Sequence, residues 1–381
     1  MSGDIVQNER NLKIVFLIQE LKQNAGQTNA LLVIIHALHR AMPNLETTIM
    51  THSYDNMAMP DFICVKLLRR YYSCIFLNKH LSTILAKFDL IYIKGQYPYV
   101  FPALRSGRPT VLVIHHLDSP RTMGGLVRKT KALLTIILTP LVITKPVKLV
   151  TVSEESHNFY KARYGAKSTV IEDQIDEVFY GKVQRDHLSH RYVINLLSVG
   201  YWDGLNGRKR QHLLFDFLNK AGLSDINLKL TLVGLSDKNI RDLQSILHKK
   251  QIGFKVDLKG ILSKEDLAEA YRNNDIYVTA TTYEAFYRPV VEAFASGMPA
   301  LVYDSRAFTK EIQNAASAVH VIKSEAGQLF MDITSFADGL KKILDNYSNM
   351  SRKAYEYALR FQAGLINEKN MHLLKEMLTD L

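Results

Sequence analysis

Two periods of apolar and polar positions alternate along this chain, and the switch between them marks its elements. Short apolar or β-branched runs at Leu12–Ile18, Thr47–Thr51, Leu90–Ile93, Thr110–Ile114 and Lys148–Val152 predict buried strands in the first half. Between them lie stretches with helical spacing. In Gly26–Ala41, for example, Leu31, Leu32, Ile35 and Leu38 share one side. After a polar linker, Tyr180–Arg191, the pattern restarts with strand-like runs at Tyr192–Val199, Leu228–Gly234, Phe254–Gly260, Asp275–Thr281 and Ala300–Tyr303. Strands alternating with helices predict an α/β fold with parallel, doubly wound sheets.

Length and composition narrow this picture. A chain of 381 residues suits two domains, each with its own core, and 47% hydrophobic content excludes a disordered chain. The longest apolar stretch, Ala132–Thr144, is interrupted by Pro140 and falls short of the roughly 20 residues a membrane span needs. Met1–Arg10 is polar, so no secretory signal is expected. Cys64 and Cys74 have no metal-type spacing, which predicts a reduced, cytoplasmic setting.

The net charge of +11 is uneven, with 23 basic against 15 acidic residues up to His190 and 25 against 22 beyond it. Two stretches read as helices, Val65–Phe88 and Leu126–Ile143, mix lysine and arginine with apolar and aromatic residues. That pattern suits an interfacial helix on an anionic membrane, and core packing with a solvated edge explains it equally. No nucleic-acid-binding motif is present, so a lipid surface is the expected partner and nucleic acid is not.

The chemistry concentrates in Asp275–Asp304. A strand is followed by a loop, then by a helix that Pro289 opens and Gly297 and Pro299 close, then by the strand Ala300–Tyr303. In open α/β sheets ligands sit where strand carboxyl ends meet helix amino ends. Glu284 lies in the loop and Glu292 in the first turn or so of the helix. A helix N-terminus suits phosphate, whereas a carboxylate suits a vicinal diol, which donates two hydrogen bonds to it. Two carboxylates bracketing a phosphate site therefore fit a nucleotide-sugar. The helix dipole by itself also favours an early acidic residue. Upstream, Gly200, Gly204 and Gly207 lead into Arg208 and Lys209 before a helix expected over Gln211–Lys220, an arrangement suited to a diphosphate.

Taken together, Glu284-Ala285-Phe286, Pro289, Glu292-Ala293, Ala295, Gly297 and Pro299 resemble the Glu–seven residues–Glu motif of the GT-B glycosyltransferases, in particular retaining family 4. The family pattern runs E-G-F-G-L-P-x-x-E-A-M-A-x-G-x-P, so Ala285 and Tyr287 replace two glycines. The resemblance implies the GT-B architecture, two Rossmann-like domains facing across a cleft. Their expected spans are residues 1–190 and 191–364, with a last helix, 365–381, returning to the first domain. It also implies a retaining hexosyl transfer from a UDP- or GDP-sugar to a glycan or lipid-linked acceptor at the inner face of a membrane, without a metal or other cofactor.

By the same resemblance His115, with His116 as the alternative, and Glu284 stand at the reacting sugar. Arg208 and Lys209 hold the diphosphate, and Glu292 holds the ribose. Gly26 and the Ala285-Phe286-Tyr287 segment line the donor. Tyr201 stands where the family has an arginine, and Ser153 reads as a helix cap. Two other readings remain open: a non-catalytic GT-B subunit that scaffolds a partner transferase, and a nucleotide-sugar epimerase.

Overall fold

A computed structural model describes residues 11–21, 26–55, 57–68, 79–95, 99–114, 140, 147–181, 193–205, 207–223, 226–282, 284–304 and 316–379. The first half contains strands β1 (Lys13–Leu17), β2 (Glu20–Leu21), β3 (Glu46–Thr51), β4 (Ser53–Tyr54), β5 (Ile63–Leu67), β6 (Leu90–Lys94), β7 (Thr110–Ile114), β8 (Val147–Thr151) and β9 (Ser168–Val170). Seven of them form a parallel sheet in the order β5-β3-β1-β6-β7-β8-β9, and β2 and β4 pair separately. The second half supplies β10 (Ile194–Val199), β11 (Leu228–Val233), β12 (Lys255–Lys259), β13 (Ile276–Thr279), β14 (Ala300–Tyr303) and β15 (Gly327–Phe330). They form a second parallel sheet, β12-β11-β10-β13-β14-β15. The strand order of each sheet reverses direction beside its first strand, which is the switch point at which α/β sheets bind ligands.

Burial explains the strand composition. β6, β7, β13 and β14 are buried along their whole length, because helices cover both faces of a parallel sheet and leave no position for a solvated side chain. The helix Gly26–Ala41 has the bounds its spacing predicts. Ser153 caps the helix Glu154–Tyr164, its hydroxyl accepting from the Ser156 N–H at 3.1 Å.

Four expectations are corrected. Val65, Lys66 and Leu67 belong to the edge strand β5 instead of a helix, since their register with β3 satisfies the backbone while Leu67 stays 65% exposed. The next described helix begins at Lys79. The other basic–apolar stretch, 126–143, lies outside the described residues apart from residue 140. The helix after the glycine-rich loop starts at Leu213, because Arg210 takes a left-handed conformation (φ 43°) and delays it. β13 stops at Thr279, and Glu292 sits in the second turn of its helix, Arg288–Ala295.

The two halves are tied together along the chain's return path. The C-terminal helix, Ala363–Thr379, packs on Gly26–Ala41, and Glu376 pairs with Lys148 of β8 at 2.8 Å. Glu172 receives Lys369 at 2.7 Å and Arg360 at 3.4 Å. Ile175 N–H donates to the Phe361 carbonyl at 2.8 Å, and the Tyr180 hydroxyl to that of Ala358 at 2.8 Å. Across the cleft Lys323 meets Glu155 at 3.0 Å.

Close strand packing in the second sheet has a measurable consequence. A Cβ on Gly327 would lie 2.0 Å from the Ala300 carbonyl oxygen, its β14 partner. Gly327→Ala should therefore lower the unfolding free energy by about 2 kcal/mol or more, as overpacking does. A urea melt with an unshifted midpoint would contradict this.

Candidate active site

The carboxyl ends of β10 and β13 face the amino end of the helix Arg288–Ala295, and the loops there converge on one ion pair. Lys209 Nζ lies 2.7 Å from Glu284 Oε1, and Arg208 Nη1 lies 3.5 Å from Glu284 Oε2. Burial is the largest influence on Lys209 and works against its charge, but the Glu284 carboxylate and Tyr287 together hold the ammonium above its ordinary pKa. The lysine stem reaches this point over Gly200, where a Cβ would be 3.4 Å from Nζ and Cε; the glycine's φ of 147° also disfavours a side chain. Thr282 N–H donates to the Arg208 carbonyl at 2.9 Å, stitching the two loops together, and Gln211 Nε2 donates to the Gly200 carbonyl at 2.9 Å, closing the first loop on itself. Tyr201 is exposed beside Arg208 and favours the guanidinium's charge.

Tyr287, standing in place of a family glycine, takes a left-handed backbone (φ 61°, ψ 64°). A side chain there costs about 1–2 kcal/mol. Its ring is buried beneath Lys209, with Nζ 4.8 Å from the centroid. Its hydroxyl lies within hydrogen-bond distance of Thr279 (2.7 Å), Thr281 (3.0 Å) and Tyr277 (3.0 Å). Those contacts offset the strain and turn the ring into the domain, away from the cleft.

Glu292 is buried, which raises its pKa, and Arg288 and Tyr271 oppose that rise. The Tyr271 hydroxyl donates to Oε2 at 3.0 Å, and Arg288 Nε lies 3.4 Å from Oε1. Because a carboxylate has about four acceptor sites, it retains capacity for a diol.

Residues 197–361 match the family model described as glycosyl transferases group 1. Nearly the whole chain superposes on solved structures at low identity. Sucrose-phosphate synthase from Thermosynechococcus elongatus matches with TM-score 0.74 and 14% identity, covering 97% of this chain and 100% of that one. HepE from Anabaena in complex with UDP-glucose matches with TM-score 0.70 and 17% identity, covering 96% and 100%. The fold is GT-B, and residues 197–361 are a glycosyl transferases group 1 domain. A 146-residue segment, 37% of the chain, is 25% identical to the GtfA subunit of the UDP-N-acetylglucosamine–peptide N-acetylglucosaminyltransferase of Streptococcus parasanguinis. That match spans 28% of the relative's length.

Within this group 1 domain, Arg208, Lys209, Glu284, Ala285, Phe286, Tyr287 and Glu292 all lie on the two converging loops and the helix that follows them. Gly26 opens its helix on the other sheet, and His115 and His116 lie outside the described residues. No group of three or more metal-ligating side chains that could hold an ion occurs among the described residues, and no helix there is long and apolar enough to cross a membrane.

Sequence reading missed four supporting groups. The Asp203 carboxylate accepts from the backbone N–H of Arg208 (2.9 Å) and of Lys209 (3.2 Å). Arg288 donates to the Gln174 carbonyl at 2.7 Å and faces Asp176 at 3.6 Å, binding the chain that joins the sheets to the site helix. Lys94, at the end of β6, lines a small cavity of mixed polar and apolar character with Asp173, Gln174 and Asn370, and burial pushes its pKa down to about 8 against the pull of Asp173. His320 bridges the Phe286 carbonyl (Nε2, 2.6 Å) and the Tyr357 hydroxyl (Nδ1, 3.0 Å), fixing the loop from behind. Only a helical pattern around an ordinary histidine marks it in the sequence.

Burial pushes the His320 imidazole down to about 4 from its usual 6.5. Between those values the unfolded chain binds the extra proton, so stability is complete above pH 6.5 and falls as pH drops toward 4. The loss attributable to His320 should reach about 3 kcal/mol. Urea melts of wild type and His320→Gln from pH 7.5 to 4.5 test this: the variant should show a flatter profile, and parallel profiles would refute it.

Proposed function

We propose that the protein is a retaining glycosyltransferase that moves a hexose from a nucleoside-diphosphate sugar to a glycan or lipid-linked acceptor. The observation that carries the reading is the convergence of Lys209, Arg208 and Glu284 beside the amino end of the helix Arg288–Ala295. A leaving diphosphate needs compensation for its charge, and fixed cations with helix amides supply it without reorganising during the reaction. Two side-chain cations meet the need that a divalent metal meets elsewhere, so the transfer is proposed to be metal-independent. Glu284 takes hydroxyls of the donor sugar, Glu292 those of the ribose, and the acceptor attacks from the face the diphosphate leaves.

UDP-sugars are the first donors to test, because the names of HepE's complex and of the GtfA relative both contain UDP. The basic first half makes an anionic membrane surface the proposed place of work. The protein would act there from the cytoplasmic side.

Thermal melts with UDP, GDP, ADP and their glucose conjugates, each with EDTA, test the donor site. A ligand at 100 times its dissociation constant should raise stability by about 2.7 kcal/mol. The shift should survive EDTA and disappear in Glu292→Ala, and Lys209→Ala should abolish transfer while leaving a folded protein. The anomeric configuration of the product, read by NMR, should equal that of the donor. No shift with any nucleotide would favour a scaffolding subunit instead.

A further inference from the structure

The groups proposed to receive the donor diphosphate are already neutralised by the chain's own carboxylates. Asp203 occupies the backbone N–H groups of Arg208 and Lys209, and it packs so closely on Gly207 that a Cβ there would meet its Oδ1 at 1.9 Å. Glu284 occupies the two side-chain cations, 2.7 Å from Lys209 Nζ and 3.5 Å from Arg208 Nη1. An incoming diphosphate therefore meets a charge-balanced site, and its oxygens have to take the place of a carboxylate.

We propose that Glu284 is an internal competitor of the diphosphate, and that its displacement makes the site select the sugar-loaded nucleotide over the free nucleoside diphosphate. This rests on the transferase reading. A bare diphosphate separates Glu284 from Lys209 and places new negative charge beside the carboxylate. A sugar conjugate brings vicinal hydroxyls that donate to the displaced carboxylate, so the exchange is compensated. Asp203 differs, since its bonds run to backbone amides of its own loop and stay in place. The buried Tyr287 ring keeps Lys209 from following Glu284 out of the site. Such a site releases its nucleotide product more readily than it releases its donor.

Inorganic pyrophosphate is the probe that isolates the competition, because it carries neither base nor sugar. Calorimetric titration at fixed ionic strength should show pyrophosphate binding roughly tenfold or more tighter to Glu284→Gln than to wild type, with both proteins folded by thermal melting. UDP should gain in the same direction, and the preference for UDP-glucose over UDP should narrow in the variant. Equal or weaker pyrophosphate binding by Glu284→Gln, or none by either protein, overturns the proposal. If pyrophosphate gains affinity in the variant while no nucleotide or conjugate binds either protein, the competitor role stands and the transferase reading falls.

Discussion

An ammonium group taken out of water needs opposite charge around it, and the candidate site is arranged to give Lys209 that charge. The desolvation penalty of such a group is several kcal/mol, so it stays charged only where partners are held in place. Glu284 comes from the loop after β13, the Tyr287 ring from the turn into the next helix, and the open path from Gly200 at the end of β10. Two separate stretches of chain thus meet at one cation. The hydrogen bonds from Thr282 to Arg208 and from Gln211 to Gly200 keep them there.

The same helix that ends the site also joins the two halves. Arg288 holds the segment leaving β9 through the Gln174 carbonyl and Asp176, while its Nε faces Glu292; Asp176 is shared with Lys264 at 3.2 Å. Ser296, just past the helix, donates to the Phe179 carbonyl at 2.9 Å. The positions of Glu292 and of the interdomain segment are therefore set by shared contacts. Arg288 thus contacts both the segment leaving the first sheet and Glu292.

Much of the fold is legible in the sequence because burial on both faces leaves only apolar residues in a parallel strand. β6, β13 and β14 stand out for that reason, and so does the strand–loop–helix unit with Pro289 near the helix start. Edge and short strands are not legible in this way. β5 reads as a helix because one of its faces is exposed and carries Lys66, and β9 and β15 are only partly buried, so they lack the continuous apolar run. In the site, the residue types and spacing of Glu284, Glu292, Arg208 and Lys209 place them at strand and helix ends. The partners of those residues come from distant positions: Asp176 and Gln174 precede Arg288 by more than a hundred residues, and His320 reaches Phe286 from a later helix.

By itself, the sequence determined two parallel sheets, a ligand edge at the ends of β10 and β13, and a set of cations and carboxylates on the loops there, since periodicity and helix-end chemistry are local properties. Tertiary structure alone decided what those charges do to one another. It paired Glu284 with Lys209, placed Asp203 on the loop amides and tied Glu292 to Tyr271 and Arg288. It also turned Tyr287 inward, where a tyrosine in a glycine position would otherwise project into the cleft. The reason is physical: a side chain's direction and charge state depend on the dielectric and the partners around it, and these are supplied by residues that no local pattern connects.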